Sequence, residues 1–325
     1  MCGILGYVAV SKNRPDVEIF KKSLKICSTR GTHATGFYTP DIGIHKKDIS
    51  AEKFVNEFDK QLIDGIKSNV LIAHCRAVTK GPAKNNVNNH PHESENFVLV
   101  HNGSITRTDQ IDEYEYKSEC DSENILAYVE TYGVQKGLEN MIETDGQAIA
   151  LYDKKLKKLW LFRNNNPTVM LLDKKDKILY FGSSFDIIKP FYRYSMSLGF
   201  TTWDNMSSFE TSKNLLYLIS PEKGLEKKIE IKQKTYVYKH TQESSAYSQG
   251  YSGYQNNRSS YGGNKGQEWC DECHKLVDNI HNHQCKNKGG IITKTTPKVS
   301  KRQVIYKGGT VKYITEKESE SIIIL

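Results

Sequence analysis

The sequence begins Met1-Cys2-Gly3-Ile4-Leu5-Gly6, and its second residue is the most informative one. Initiator methionine is removed efficiently when the next side chain is small, and removal here leaves Cys2 with both a thiol and a free α-amine. An α-amine titrates at about 7.7–8.0 and a free thiol near 8.5, so the amine can activate its own nucleophile, directly or through one water. The stretch therefore predicts an N-terminal cysteine nucleophile. The alternative is a cysteine at position 2 by chance, and the rest of the chain decides between them.

The composition bounds the class of protein. The chain has 325 residues, with 46 Lys and Arg against 38 Asp and Glu, and its formal net charge of +8 is spread along the sequence. This length allows one large domain with additional segments. The basic excess points weakly to nucleic acid or another acidic partner, and a lysine-rich soluble protein is the more ordinary explanation.

The lengths of the apolar runs and the number and placement of the cysteines indicate the cellular compartment of the protein. No apolar run approaches membrane-spanning length and no signal peptide precedes Cys2, so we expect a cytoplasmic protein without a membrane partner. The seven cysteines are odd in number, and three of them cluster near the C-terminus. This pattern predicts a reducing compartment and one metal cluster, and it argues against a disulfide framework.

Residues 2–239 have the pattern of one globular domain of mixed α+β class, with layered sheets flanked by helices. The predicted strands are Gly3–Val10, Gly36–Tyr38, Val70–His74, Phe97–His101, Ala148–Tyr152, Leu159–Phe162, Val169–Leu172, Leu179–Phe181, Leu215–Ile219 and Thr235–Tyr238. The predicted helices are Asp16–Cys27, Glu52–Ile66 and Glu123–Tyr132. Residues 240–268 are rich in Ser, Gly, Gln and Tyr and nearly lack aliphatic residues, which predicts a disordered linker.

Four further segments carry polar residues that fit an N-terminal cysteine nucleophile. The segments are Arg30-Gly31-Thr32-His33-Ala34-Thr35-Gly36, Ile72–Gly81, Asn88–His92 with Phe97–Ile105, and Cys120-Asp121-Ser122-Glu123. Each has an ordinary explanation by itself. These are a surface turn, a surface arginine after a buried strand, an Asn-Gly hairpin turn, and a helix capped by Asp121 or Ser122.

Taken in this order, the segments resemble the class II glutamine amidotransferases, the N-terminal-nucleophile (Ntn) glutaminase domains of glucosamine-phosphate synthase, amidophosphoribosyltransferase and asparagine synthetase. The resemblance covers roughly residues 2–239 and is strongest from 2 to 125. It implies a four-layer αββα Ntn-hydrolase sandwich. It also implies a glutaminase that converts the side-chain amide of L-glutamine to glutamate and ammonia.

The resemblance assigns the catalytic roles to three residues. Cys2 is the nucleophile, and the Asn102 side chain with the Gly103 N–H forms the oxyanion hole. Losing one such donor typically slows a reaction about a hundred- to a thousandfold. We interpret His90 and His101, which also lie near the site in the family, as structural.

The resemblance likewise assigns substrate binding. Arg76 holds the α-carboxylate of glutamine with support from Thr79, and Asp121 accepts the α-ammonium. The loop at Arg30 and Gly31 packs against the nucleophile and orients it.

Three positions depart from the family pattern. Synthases of the glucosamine type have an aromatic residue where Ala77 stands and a histidine where Lys80 stands, and Cys120 departs from the Ser-Asp-Thr-Glu turn.

A second signal lies at residues 269–286. Cys270 and Cys273 form a C-x2-C pair, and Cys285 follows with either His281 or His283 as the fourth ligand. Four such soft ligands predict a structural zinc knuckle that folds around its ion. The glutaminase chemistry itself needs no cofactor. Residues 287–325 form a basic tail, in which Val304–Ile314 predicts a β-hairpin about a Gly-Gly turn.

The predicted function is a glutaminase subunit that supplies ammonia to a separate acceptor (synthase) enzyme, with nucleic acid as a further partner of the basic C-terminal region. One alternative is an Ntn amidase for another amide, which the pairing of Arg76 with Asp121 disfavours. The other is an inactive scaffold that binds a partner or nucleic acid through its zinc module.

Overall fold

The computed structural model describes residues 1–106, 108–142, 146–197 and 206–234, together with the backbone of four short strands nearer the C-terminus. The chain divides into one unit formed by Met1–Val237 with Ser300–Leu325 and a second formed by Tyr238–Val299.

The described strands of the larger unit's main body are β1 Gly3–Ala9, β2 Ala34–Thr39, β3 Gly43–Lys47, β4 Val70–Arg76, β5 His92–Glu93, β6 Phe97–Gly103, β7 Gln147–Asp153, β8 Lys158–Arg163, β9 Val169–Asp173, β10 Ile178–Gly182, β11 Met206–Glu210, β12 Leu215–Ser220 and β13 Gly224–Glu230. The helices are α1 Val17–Cys27, α2 Ala51–Glu57, α3 Asp59–Gly65, α4 Glu123–Tyr132, α5 Val134–Asn140 and α6 Phe185–Ser197.

Two antiparallel sheets form the centre of this unit. The first has the order β11-β9-β10-β1-β4-β2-β3, and the second has the order β13-β12-β8-β7-β6-β5. In the first sheet β1 lies between β10 and β4, with Gly3 opposite Cys75. Cys2 therefore stands beside the carboxyl end of β4.

Alternation along β1 shows why the sheets are covered on both faces. Leu5, Tyr7 and Ala9 pack with the helices α1, α2, α3 and α6, whereas Ile4 and Val8 pack toward the second sheet. Successive strand side chains point to opposite faces, so two buried faces need apolar residues at nearly every position. The other face of the second sheet packs on α4 and α5. The layers are thus helix, sheet, sheet, helix.

The helix α1 is formed by local signals. The Asp16 side chain accepts hydrogen bonds from the N–H groups of Glu18 and Ile19 at 2.9 and 3.0 Å and caps the helix. Phe20 and Leu24 recur at a spacing of four residues and are fully buried against the first sheet.

Several predicted elements differ from the observed ones. The single helix predicted over Glu52–Ile66 is two helices, α2 and α3, which meet at Phe58, a residue with non-helical backbone angles. Strands β3, β5, β11 and β13 and helices α5 and α6 were not predicted. The cap predicted for α4 is wrong, because no side chain caps its first turn. The predicted strand Thr235–Tyr238 lies outside the described residues.

The C-terminal strands form two pairs. β14 Glu268–Cys270 pairs with β15 Lys275–Val277, and β16 Arg302–Ile305 pairs antiparallel with β17 Val311–Ile314. The linker predicted over 240–268 lies, except for its last residue, outside the described residues. Among the helices in the described ranges, none is both long and apolar enough to span a bilayer.

Candidate active site

The Cys2 side chain is buried, and it lies just before β1 beside the carboxyl end of β4. Its exposed fraction is 8%, whereas Met1 is 75% exposed. The Cys2 thiol donates to the carbonyl oxygen of Ala77, and the Ala77 N–H donates to Cys2 Sγ, each at 3.4 Å. Both contacts arise because β4 ends at Arg76 and the chain turns over the end of β1. The residue after the predicted substrate arginine therefore touches the predicted nucleophile.

The surroundings of Cys2 act on its pKa in opposite directions. Burial raises the pKa of the thiol, while the hydrogen bond from Ala77, the charge of the chain's amino terminus and the charge of Arg76 lower it, and burial dominates. A buried thiol with its proton retained needs a local base before it can attack. The α-amine that removal of Met1 would create is such a base.

The structure brings Arg30 and Gly31 to this point, as the sequence predicts. Nε of Arg30 donates to the carbonyl oxygen of Cys2 at 3.0 Å. A Cβ atom at Gly31 would lie 2.4 Å from the nitrogen of Ala77 and from the carbonyl carbon of Arg76. Only glycine fits here without displacing backbone.

Arg76 is buried and holds the loop that follows it. Its guanidinium donates to Oδ1 of Asn89 at 2.7 Å and to the carbonyl oxygens of Lys80 and Gly81 at 2.6 and 2.9 Å. Thr79 lies in this loop and is exposed, and its side chain forms no hydrogen bond within the described ranges. Within the described ranges Thr79 therefore makes no hydrogen bond to the other predicted site residues.

Asn102 and Gly103 form the end of β6, the facing strand of the second sheet. The Nε2–H of His74 on β4 donates to the carbonyl oxygen of His101 at 2.9 Å, which joins the ends of the two strands. Nδ2 of Asn102 is buried and has no hydrogen-bond partner among the described residues. An unpaired buried donor is costly, and a ligand oxygen would satisfy it.

The room around Gly103 is tight. A Cβ atom there would lie 2.4 Å from the carbonyl oxygen of Gly146. Nδ2 of Asn166 donates to the carbonyl oxygen of Asn102 at 2.8 Å and fixes the turn from the other side. The backbone that presents the Asn102 amide is therefore held firmly.

Asp121 lies just before α4 and is 6% exposed. The N–H of Ile105 donates to Oδ2 of Asp121 at 2.6 Å, and the Cys120 thiol donates to Oδ1 at 3.8 Å. Ser122 Oγ is hydrogen-bonded to Nδ1 of His101 at 2.9 Å, which anchors the start of α4 to β6. Asp121 thus stands next to the strand that carries Asn102.

Sequence reasoning missed two supporting residues. Asn89 accepts the hydrogen bond of Arg76, and His33 Nδ1 accepts from the N–H of Val78 at 2.9 Å. Both residues lie inside motifs of the sequence analysis, but the residue types in these motifs do not indicate that Asn89 binds Arg76 or that His33 binds Val78. Their roles depend on how separate loops meet.

Two sets of side chains could hold a metal. In the predicted zinc set, Cys270 ends β14, while Cys273, His281, His283 and Cys285 lie outside the described residues. Within the described ranges, His90, His92 and Cys120 are buried together. A surface cavity of about 470 Å³ between α1 and α6 contains none of the predicted site residues.

Comparisons with known proteins bear on the fold and on the resemblance. No family model matches the chain. It is 31% identical over 188 residues to a glutamine–fructose-6-phosphate aminotransferase (isomerizing) of Halalkalibacterium halodurans, a match that spans 52% of this chain and 30% of that relative. The chain therefore spans less than a third of the length of this relative.

Two solved structures share the fold. A glutamine phosphoribosylpyrophosphate amidotransferase from B. subtilis matches with a TM-score of 0.50 and 14% identity over 70% of this chain and 49% of its own. An allosteric regulatory enzyme of purine biosynthesis matches with a TM-score of 0.53 and 16% identity over the same shares of the two chains. These likenesses confirm the predicted resemblance to Ntn-type class II glutamine amidotransferase domains.

Proposed function

We propose that this domain hydrolyses the side-chain amide of L-glutamine to glutamate and ammonia through Cys2. The observation that carries the proposal is the contact between Cys2 Sγ and the backbone of Ala77. Ala77 directly follows Arg76 at the end of β4. A hydrogen bond joins β4 to β6, the strand of Asn102. The likeness of the chain to a glutamine-dependent aminotransferase supports the choice of substrate.

The reaction follows from the atoms at this point. Removal of Met1 frees the α-amine of Cys2, which takes the thiol proton as Sγ attacks the amide carbon of glutamine. The oxyanion that forms is held by Nδ2 of Asn102 and the N–H of Gly103. The amine then gives its proton to the departing nitrogen, ammonia leaves, and a thioester remains. Water cleaves the thioester and releases glutamate.

Arg76 and Asp121 are proposed to bind the two charged groups of glutamine's α-carbon. A guanidinium has five N–H donors, and the three hydrogen bonds of Arg76 occupy both donors of Nη2 and one of Nη1. The Nε–H and the second Nη1–H remain, and one of them can donate to the α-carboxylate. Oδ2 of Asp121 accepts from the Ile105 N–H, and Oδ1, which also accepts from the Cys120 thiol at 3.8 Å, has a second lone pair that can accept from the α-ammonium. An amide without these two charges would bind poorly, which separates a glutaminase from an amidase of another specificity.

We further infer that this is a cytoplasmic glutaminase domain of αββα Ntn architecture. Its zinc knuckle is formed by Cys270, Cys273, Cys285 and one histidine. The ammonia passes to an acceptor enzyme or domain, as the aminotransferase relative suggests. The basic C-terminal segment is a candidate for binding that acceptor or a nucleic acid.

The test measures glutamate and ammonia from glutamine with the purified full chain whose N-terminus has been determined by intact mass. Processed protein should be active, and Cys2→Ala and unprocessed protein should be inactive. Cys27→Ala is the matched control, because Cys27 is also a buried free cysteine and has no proposed catalytic role. A panel of amides should show preference for glutamine. Preference for an uncharged amide would favour another Ntn amidase, and inactivity of processed protein would favour a scaffold.

A further inference from the structure

Three buried side chains that the proposed reaction does not use meet behind the candidate active site. His90 lies next to Asn89, His92 begins β5, and Cys120 precedes Asp121, with exposed fractions of 3%, 4% and 6%. One ligand atom from each residue lies within 4.8 Å of the other two. The rings of His90 and His92 have centroids 4.4 Å apart.

The ring nitrogens of these histidines are unusual for buried polar atoms. Neither Nδ1 nor Nε2 of His90 has a hydrogen-bond partner in the described part of the chain, and the same holds for Nε2 of His92. A buried polar atom left unpaired is destabilising, so such atoms are rare unless a ligand satisfies them. The unpaired nitrogens point to a ligand that accepts lone pairs.

Burial also sets the protonation state of the two rings. It lowers the pKa of both His90 and His92 well below the usual range, and the neighbouring histidines and cations lower it further. A neutral imidazole offers a nitrogen lone pair, which is the form that binds a metal.

We propose that His90, His92 and Cys120 bind one borderline-soft divalent transition-metal ion of the zinc class. Two imidazole nitrogens and one thiolate are a donor set that zinc prefers over the oxygen ligands of magnesium or calcium. Bond lengths of about 2.0–2.1 Å to nitrogen and 2.3 Å to sulfur place tetrahedral ligand atoms about 3.3–3.6 Å apart. Closing from at most 4.8 Å requires side-chain movements of about 1 Å.

Metal binding would change the net charge of the site. The ion brings two positive charges and the Cys120 thiol releases one proton to solvent, so the site gains one positive charge. The charges of Lys46 and Arg76 act on His92. Burial, the largest cause, raises the pKa of the Cys120 thiol and Asp121 raises it further, while Ser122 and the charge of Arg76 lower it. The carboxylates whose charges reach Lys46 are Glu93 and Glu123.

A route from solvent leads to the site. A cavity of about 320 Å³ is lined by His92, Lys46, Ser118 and Glu123, among others. Of the three proposed ligands the cavity reaches His92, and it gives an ion a path to that side chain. Lys46 Nζ donates to the carbonyl oxygens of Asn89 and Pro91 at 2.6 and 3.0 Å and holds the histidine segment in place.

The ion would act on the glutamine site through two neighbours, an inference that rests on the proposed function. Asn89, next to His90, accepts a hydrogen bond from Arg76. Cys120 donates its thiol proton to Oδ1 of Asp121, and metal binding removes that proton. Oδ1 is then free for the α-ammonium of glutamine. The three ligands are thus positioning residues for substrate binding.

The binding test uses the full chain with Cys270→Ser and Cys273→Ser, so that the predicted C-terminal zinc set cannot contribute. After treatment with EDTA, cobalt(II) is titrated as a spectroscopic probe for the zinc class. One cobalt per chain with a thiolate-to-cobalt charge-transfer band is expected. Adding Cys120→Ser should abolish the band, and adding Cys27→Ser should leave it unchanged. Adding His92→Gln should weaken cobalt binding at least about 100-fold, because losing a direct ligand costs more than losing a residue that only orients a ligand.

Serine differs from cysteine by one atom, and the thermal midpoint in EDTA shows whether the Cys120→Ser protein is folded. Absence of the cobalt band in the parent, or its persistence with Cys120→Ser, would overturn the metal site. For the coupling, zinc should lower KM for glutamine by up to about tenfold in the parent and not with Cys120→Ser. Cobalt binding without glutaminase activity would leave the metal site intact and reject the proposed function instead.

Discussion

Nη1 of Arg76 donates a hydrogen bond to Oδ1 of Asn89 at 2.7 Å, which ties the proposed carboxylate-binding arginine to the segment that carries both buried histidines. Asn89 is fully buried, and its own Nδ2 donates to the carbonyl oxygen of Ala83 at 2.7 Å. The guanidinium therefore has one orientation before substrate arrives, and preorganisation of this kind favours binding.

Asn89→Ala should raise KM for glutamine about 10- to 100-fold with a smaller change in kcat. A hydrogen bond to a charged group contributes about 1.5–3 kcal/mol, and its loss frees the guanidinium to turn away from the substrate. Steady-state glutaminase kinetics measure the effect. Asn85→Ala is the control, since Asn85 is exposed in the same loop. An unchanged KM for Asn89→Ala would show that Asn89 does not preorganise Arg76 for substrate binding.

Asn102→Ala should lower kcat about 100- to 1000-fold and leave KM nearly unchanged. The Nδ2 group has no partner in the described structure, so its contribution is expected only when the oxyanion forms. Rapid-quench or steady-state assays with glutamine decide this. Asn165→Ala, at an exposed position of the neighbouring turn, should retain full activity. A rise in KM alone would place Asn102 in ground-state binding.

Gly31→Ala should destabilise the domain by about 1–3 kcal/mol and reduce activity beyond that loss. The added methyl group would lie 2.4 Å from the backbone at Arg76 and Ala77, and overpacking of this size forces the backbone to move. Because Ala77 contacts Cys2, the shift reaches the nucleophile. Urea unfolding and the assay of the folded fraction measure the two effects. Thr32→Ala, exposed at the next position, should change neither.

Acid should destabilise the domain in part through His101. Burial lowers the pKa of its ring to about 4 in the folded chain, against about 6.5 in an unfolded one. The unfolded state therefore binds more protons between these values, so this contribution is complete above pH 6.5 and is lost as the pH falls toward 4.

His101→Gln removes this titration, so the free energy of unfolding of the wild type should fall between pH 7 and pH 5 by up to about 2 kcal/mol more than that of the variant. Urea titrations at the two pH values measure it. The titration of His74, whose pKa burial lowers to about 3, is present in both proteins and cancels. Parallel losses in the two proteins would contradict a neutral buried His101.

The strands that carry the site were predictable because their signals are local. β1, β4 and β6 are apolar runs bounded by turn residues, and the Asn-Gly pair at the end of β6 marks its end. The missed elements lack such signals. β3 is half-buried with two consecutive lysines, β13 carries four charged residues among seven, and α6 contains Pro190. Their conformations depend on contacts with neighbouring elements of the folded protein. The local pattern of residues along the sequence does not contain these contacts.

The residues of the candidate site also divide into those that sequence motifs predict and those that they do not. Cys2, Arg76 and Asn102 follow from motif order, because each ends or begins a recognisable strand. The partners Asn89 and His33 do not, since their hydrogen bonds join loops that are distant in sequence. Cys120 was noticed only as a departure from the family turn, and its closeness to His90 and His92 required the folded chain.

The central claim is that Cys2, freed of Met1, attacks the side-chain carbonyl of a bound glutamine. A diazoketone analogue of glutamine places an electrophilic carbon at that position, and mass spectrometry of peptides locates the bond it forms. We predict one adduct per processed chain, on Cys2 alone, with protection by excess glutamine and none in unprocessed protein. An adduct on another cysteine, or an unmodified Cys2 with a free α-amine, would contradict the account.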